Sequence, residues 1–272
     1  MDNSAASRVY VSKPDSFAAF QYRRAATGFC WAIFGIGGLG LTLTYFPWLN
    51  VTEKNKERRV DRARKAISAS FRLFLKVTRG LGVMDYKVEG IEELRNVKGA
   101  IIVANHPTIL DYVFLASQLP TVDCLVKAKL KENFFLKGVV KAADYLLNDA
   151  SEELLGECRS RLAAGHNILI FPEGTRTVPG EPMKLHRGVA HIALRCGCPI
   201  EAAHVHCSDR WLDKSSEWYE IPNSKPVITI KRLGSVDPSE FTKPDEEGYS
   251  LAARRLTRAL AALLESPKKI NF

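Results

Sequence analysis

From Ala25 to Thr52 the chain carries no formal charge, and the run includes Phe29-Cys-Trp-Ala-Ile-Phe34 and Leu39-Gly-Leu-Thr-Leu-Thr-Tyr-Phe-Pro-Trp48. That exceeds the roughly 20 apolar residues a membrane-crossing helix needs. A cleaved signal peptide has a shorter apolar region and a small-residue exit. The bulky Tyr45-Phe46-Pro47-Trp48-Leu49 argues against one, so the segment reads as a retained anchor. Arg23 and Arg24 precede it and the denser Lys54–Lys65 stretch follows it. Basic flanks favour the cytoplasmic side, which pulls both ends to the same side of a membrane. A re-entrant or interfacial hairpin satisfies both flanks. Gly35, Gly37, Gly38 and Gly40 are its expected bend, and Pro47 the end of its second arm. A single span and a buried helix are the alternatives.

Between Glu53 and Arg79, ten Lys or Arg stand against three acidic residues. Val60, Ala63, Ile67, Phe71, Phe74 and Leu75 recur there at helical spacing, with Arg58, Arg59, Arg62, Arg64 and Lys65 largely on the other positions. This is a basic amphipathic helix, suited to anionic lipid or to a solvated face. The whole chain has a formal charge of +9, which favours anionic partners. Nothing resembles a zinc finger or an RNA-binding aromatic signature, so nucleic acid is not an expected partner. Residues 1–82 are assigned to the anchor and basic helix, and 83–272 to a catalytic domain.

The remainder reads as alternating strands and helices. Ala100–Ala104, Cys124–Val126, Ala143–Leu147, Ile168–Phe171, Ile200–His206 and Val227–Lys231 are the strand candidates. Helices are expected over Ile109–Ser117, from a cap at Ser151 to Ala164, over His186–Cys196 and over Ser250–Leu264. The expected fold is α/β: one domain with a mixed, largely parallel sheet flanked by helices, preceded by a membrane-embedded helical segment.

Two of those strands run straight into polar loops. Asn105-His106-Pro107-Thr108 follows the first, with Asp111 five residues after His106. An Asp on the first helical turn can hold one imidazole nitrogen and leave the other as a general base, with no Ser or Cys nucleophile required. A capping Asp beside a loop His would show the same spacing. The second loop is Phe171-Pro172-Glu173-Gly174-Thr175-Arg176. Its glycine permits a tight turn, and its arginine offers a forked donor suited to phosphate. A solvated turn with an internal Glu–Arg pair is the plain alternative. Loops after buried strands of an open α/β sheet are where ligands bind.

Together these loops resemble the glycerolipid acyltransferase family typified by bacterial 1-acylglycerol-3-phosphate acyltransferases. The His-x4-Asp motif is His106–Asp111, and the third motif stands intact as Phe171–Arg176, beginning 65 residues later. Lys184-Leu-His-Arg-Gly188 and Cys198-Pro199-Ile200 resemble later segments of the family. The resemblance implies transfer of an acyl group from acyl carrier protein or coenzyme A to a lysophospholipid hydroxyl, 1-acylglycerol 3-phosphate foremost. Acylation of another membrane lipid, or a catalytically inactive membrane-binding module, is the alternative. It implies His106 as base, Asp111 as its orienting partner, and Glu173, Gly174, Thr175 and Arg176 around the acceptor. It also implies membrane lipids and the acyl donor as partners, no metal or other cofactor, and a place at the cell inner membrane with the domain on the cytoplasmic face. One departure stands out. The family's second motif usually ends in an arginine, whereas Ala143–Asp149 contains none, and Lys127, Lys129, Lys184 or Arg187 are the candidates to replace it.

The six cysteines form no CxxC pair and are expected to be reduced thiols. His204 and His206 fall on one face of a strand with Cys207 on the other, a spacing that suits packing rather than a metal.

Overall fold

The computed structural model describes residues 14–132, 136–148, 152–177, 181–243 and 248–265. The chain enters through α1 (Phe17–Gly40), whose Ser16 cap accepts the Ala19 amide. It continues without a break through a π-turn (Leu41–Tyr45) into α2 (Phe46–Thr52). The expected bend at the glycines is absent. Glycine costs only about 1 kcal/mol against alanine in a helix and does not by itself break one. The irregularity falls instead just before Pro47, which has no N–H for the helical ladder; a π-turn accommodates such a gap.

The reversal comes at Glu53–Asn55. Asn55 caps α3 (Lys56–Gly80) by accepting the Arg58 amide at 3.0 Å. α3 returns along α1, where Phe34 stacks on Phe71 and meets Phe74 edge-on at 4.9 Å. The hairpin is therefore made by two long helices and not within the apolar run.

Seven strands follow: β1 (Asp85–Glu89), β2 (Ile101–Ala104), β3 (Asp123–Lys127), β4 (Leu146–Asn148), β5 (Ile168–Ile170), β6 (Ile200–Cys207) and β7 (Val227–Val236). They form one sheet in the order β1-β7-β6-β2-β5-β3-β4, parallel at every pair except β6–β7. The sheet is mixed and mostly parallel, as expected. β1 has no counterpart among the expected strands, because Asp85-Tyr-Lys-Val-Glu is a half-exposed edge strand without an apolar run.

Strand alternation divides the core. Ile102, Ala104, Leu169, Ala203 and Val205 face a layer with α3 and α4 (Asp111–Gln118). Ile101, Val103, Ile168, Ile170 and Ala202 face α6 (Glu152–Ala163), α7 (Gly188–Cys196) and α8 (Ser250–Glu265). The short α5 (Lys137–Ala142) and the turn behind it pack under α2 and α3, where Phe46, Leu49, Ala63 and Ile67 meet Val140 and Tyr145. The expected cap at Ser151 lies outside the described residues.

Arg64 departs from the basic face expected of α3. It is 4% exposed, donates to the Ala143 carbonyl at 2.8 Å and pairs with buried Asp123 at 2.5 Å. Arg161 holds the same Asp123 at 2.8 Å and the Asp144 carbonyl at 2.6 Å. This network fixes the left-handed turn at Asp144 (φ 51°), in the stretch read from sequence as lacking an arginine.

Candidate active site

β2 and β5 are parallel neighbours in register at Val103 and Ile170, so their exit loops leave the same edge side by side. The first loop is pinned by Asn105. Its side chain donates to the Val205 carbonyl at 2.8 Å and accepts the Val205 amide at 2.6 Å, which extends the β2–β6 ladder with an amide side chain.

His106 follows, with its ring stacked on Phe171 at 4.4 Å between centroids. Its Nδ1 lies 2.8 Å from Asp111 Oδ2. Asp111 opens α4 and is fully buried. The same Oδ2 accepts the Thr108 amide at 2.8 Å, and Oδ1 accepts the Thr108 hydroxyl at 2.5 Å. Burial pushes the Asp111 carboxyl up, while the bonds from His106 and Thr108 oppose that rise. An oxygen already receiving an N–H is placed to accept, so the geometry suits an Nδ1–H donor and leaves Nε2 as the basic nitrogen.

The second loop is bonded to the first. Glu173 Oε1 accepts the His106 amide at 2.7 Å, its other oxygen accepts the Thr177 hydroxyl, and the Thr177 amide donates to the His106 carbonyl at 3.1 Å. Burial lifts the Glu173 carboxyl to about 7, against the pull of the His106 amide. Gly174 has φ 65°, and a Cβ there would stand 3.1 Å from His186 Cδ2, so left-handed backbone and close approach both call for glycine. Thr175 is exposed.

Arg176 does not simply face solvent. Its Nη1 donates to the carbonyls of Leu212 at 3.0 Å and Asp213 at 2.6 Å. Leu212 has φ 55° and also accepts the Ile109 amide at 3.1 Å. Asp213 is 1% exposed. Burial opposes its charge, yet bonds from Ser215, Ser216 and Arg210 hold its carboxyl well below the usual range.

Sequence reasoning gathered His106, Asp111, Glu173, Gly174 and Arg176, and the structure brings these into one cluster. Lys127 and Lys129 are exposed at the same edge of the sheet, beyond β5, and Lys184 is exposed on the loop leading to α7. Three participants were missed. Thr108 sits inside the His106–Asp111 motif and Thr177 directly after Arg176, and both could have been suspected as hydroxyl partners. Leu212 carries no sequence signal, because what it contributes is a carbonyl set by an unusual backbone angle.

Residues 85–204 match a family model described as Acyltransferase. The chain is 32% identical over 152 residues to the 1-acyl-sn-glycerol-3-phosphate acyltransferase of Helicobacter pylori, covering 53% of this chain. It is 25% identical over 161 residues to the enzyme of the same name from Pseudomonas aeruginosa, covering 56% of this chain. Each match spans 60% of the relative's length. The crystal structure of the 1-acyl-sn-glycerophosphate acyltransferase from Thermotoga maritima shares the fold, with a TM-score of 0.63 at 20% identity over 90% of this chain and 95% of that one.

Proposed function

We propose that this chain, an acyltransferase carrying that family's domain over residues 85–204, moves an acyl group from acyl carrier protein or coenzyme A to a lysophospholipid hydroxyl, with 1-acylglycerol 3-phosphate as the acceptor. The observation that carries the reading is the 2.8 Å contact between His106 Nδ1 and fully buried Asp111. In this mechanism Asp111 holds Nδ1–H, and Nε2 takes the proton of the acceptor hydroxyl as its oxygen attacks the thioester carbonyl. The C–O bond forms, the C–S bond breaks, and His106 returns the proton to the leaving thiolate. Glu173 and Thr177 hold the two loops together, and Arg176 stands on the acceptor side as a donor for phosphate.

An apolar cleft of about 800 Å³ between α1 and α3 suits an acyl chain. Its wall residue Phe71 meets Tyr112, next to Asp111, edge-on at 5.9 Å.

Phe17–Thr52 is long and apolar enough to cross a membrane, and 11% of its most apolar window is buried. The same helix packs Cys30, Phe46 and Leu49 onto the domain while Phe29, Ile36 and Leu43 stay exposed. Those three recur every seven residues and form one stripe. A helix docked along its length suits lying in one leaflet, with the active site at the cytoplasmic face of the inner membrane.

A second reading, a different membrane lipid as acceptor, is favoured by one observation. Beside the two loops is a cavity of about 640 Å³ whose charged lining is Glu173, Glu181, Asp209, Asp213 and Glu265, with two histidines and, among the described residues, no Lys or Arg.

The test is acyl transfer by purified protein, with acyl-carrier-protein and coenzyme A donors against a panel of lyso-lipids. Transfer to lysophosphatidate should fall by about 10²–10⁴ in His106→Ala, with the fold and vesicle binding intact. Undiminished transfer by that variant would sink the base assignment, and transfer only to another lyso-lipid would establish the second reading.

A further inference from the structure

The segment between β6 and β7, Ser208–Pro226, touches the acceptor side of the site at one end and the foot of the membrane helix at the other. At the first end, the Leu212 and Asp213 carbonyls receive Arg176 Nη1, and the Leu212 carbonyl also receives the Ile109 amide. At the second end, the Asn223 carbonyl accepts the Asp15 amide at 2.8 Å, and the Pro222 carbonyl accepts Arg23 Nη2 at 2.6 Å. Arg23 is 4% exposed and also holds Asp15 Oδ2 through Nε at 2.8 Å. A charge buried at the start of an apolar helix is costly unless it is paired, and here Asp15 and the segment's Pro222 carbonyl share that role.

Between its ends the segment is knotted by its own side chains. Asp213 Oδ1 receives the amides of Ser215 and Ser216, each at 2.8 Å, and both their hydroxyls, while Oδ2 receives Arg210 Nε at 2.8 Å. Asp209 receives the Ser224 hydroxyl at 3.0 Å, and the Ser208 hydroxyl receives the Val227 amide at 2.9 Å. Five donors on one buried carboxylate fix the backbone on both sides of it. The Leu212 carbonyl, whose direction depends on a left-handed φ, is set by the same knot.

We infer that Ser208–Pro226 is a positioning strap: Asp213 sets the carbonyls that aim Arg176, and Arg23 ties the strap to the membrane helix, so the acceptor end of the site is held at a fixed place relative to the lipid surface. The inference rests on the reading of Arg176 as an acceptor-side donor. Neither Asp213 nor Arg23 touches the reacting atoms.

Two readouts test it, and one does not depend on turnover. In Asp213→Ala, amide exchange at Ile109 should quicken by about tenfold or more while Val103 in β2 stays protected. The acceptor KM should rise by about tenfold with the donor KM within about twofold, and Asp213→Asn should recover most of both. Arg23→Ala should raise the acceptor KM for lysophosphatidate in phosphatidylglycerol vesicles but not for a monomeric 1-hexanoyl analogue, and Arg23→Lys should partly restore it. Should Asp213→Ala fail to fold, the milder double variant Ser215→Ala/Ser216→Ala takes its place. Wild-type exchange at Ile109 together with a wild-type acceptor KM would overturn the strap, as would a loss spread equally over kcat and both KM values. If the wild-type enzyme transfers nothing to lysophosphatidate, the acceptor reading has failed, and the Ile109 exchange decides the strap alone.

Discussion

The backbone amide of His106 donates to Glu173 Oε1 at 2.7 Å, so the two loops that end β2 and β5 share a hydrogen bond across 67 residues of sequence. The bond uses the peptide of His106 and leaves its imidazole to Asp111. The backbone and the ring of the same residue are thereby held by two different carboxylates.

The Glu173 carboxyl titrates at about 7 in the fold against 4.5 for an unperturbed group. The sign follows from proton counting. Between pH 4.5 and 7 the folded state holds more protons than the unfolded chain, so this group's contribution to stability falls as pH rises through that window and stays at its lower level above it. Glu173→Gln keeps an acceptor for the His106 amide and cannot ionise. It should remove that slope and be more stable than wild type at pH 8 by on the order of 1–2 kcal/mol. Urea unfolding at pH 5 and pH 8 checks this, and equal slopes in the two proteins would contradict it.

Arg64 reaches from α3 into the sheet to hold Asp123 and the Ala143 carbonyl. Arg64→Ala leaves Asp123 with Arg161 alone and opens a gap behind α3. The expected cost is about 3–5 kcal/mol, as for other broken buried pairs. Arg62→Ala, on a half-exposed pair with Glu53, should cost under about 1 kcal/mol. Thermal melts of the two variants compare them directly, and similar Tm values would show that the buried pair carries no special weight.

Phe29, Ile36 and Leu43 lie on one exposed stripe of the entry helix. Ile36→Glu/Leu43→Glu should weaken binding to phosphatidylglycerol vesicles by about tenfold or more while leaving the Tm in detergent unchanged. Co-sedimentation measures the first and a melt the second. Unchanged binding would place the lipid contact elsewhere on the protein.

Local pattern alone determined a good deal. His106, Asp111 and the Phe171–Arg176 loop are contiguous motifs after short apolar strands, and residues that close in sequence at an element's end are close in space. The strand Ile101–Ala104 was legible because burial on both faces writes itself as an unbroken apolar run. β1 was not, since an edge strand needs no such run. The charges were the hardest to read. Arg23 suggested a topology signal and Arg64 a solvated helix face, yet both are buried: Arg23 against nearby Asp15 and the Pro222 carbonyl 199 residues away, Arg64 against Asp123 59 residues away. Arg176 likewise reads as an unheld loop side chain until the fold brings the Leu212 and Asp213 carbonyls against its Nη1. A sequence states which groups are charged; only the tertiary structure decides which of them meet a partner before they meet water.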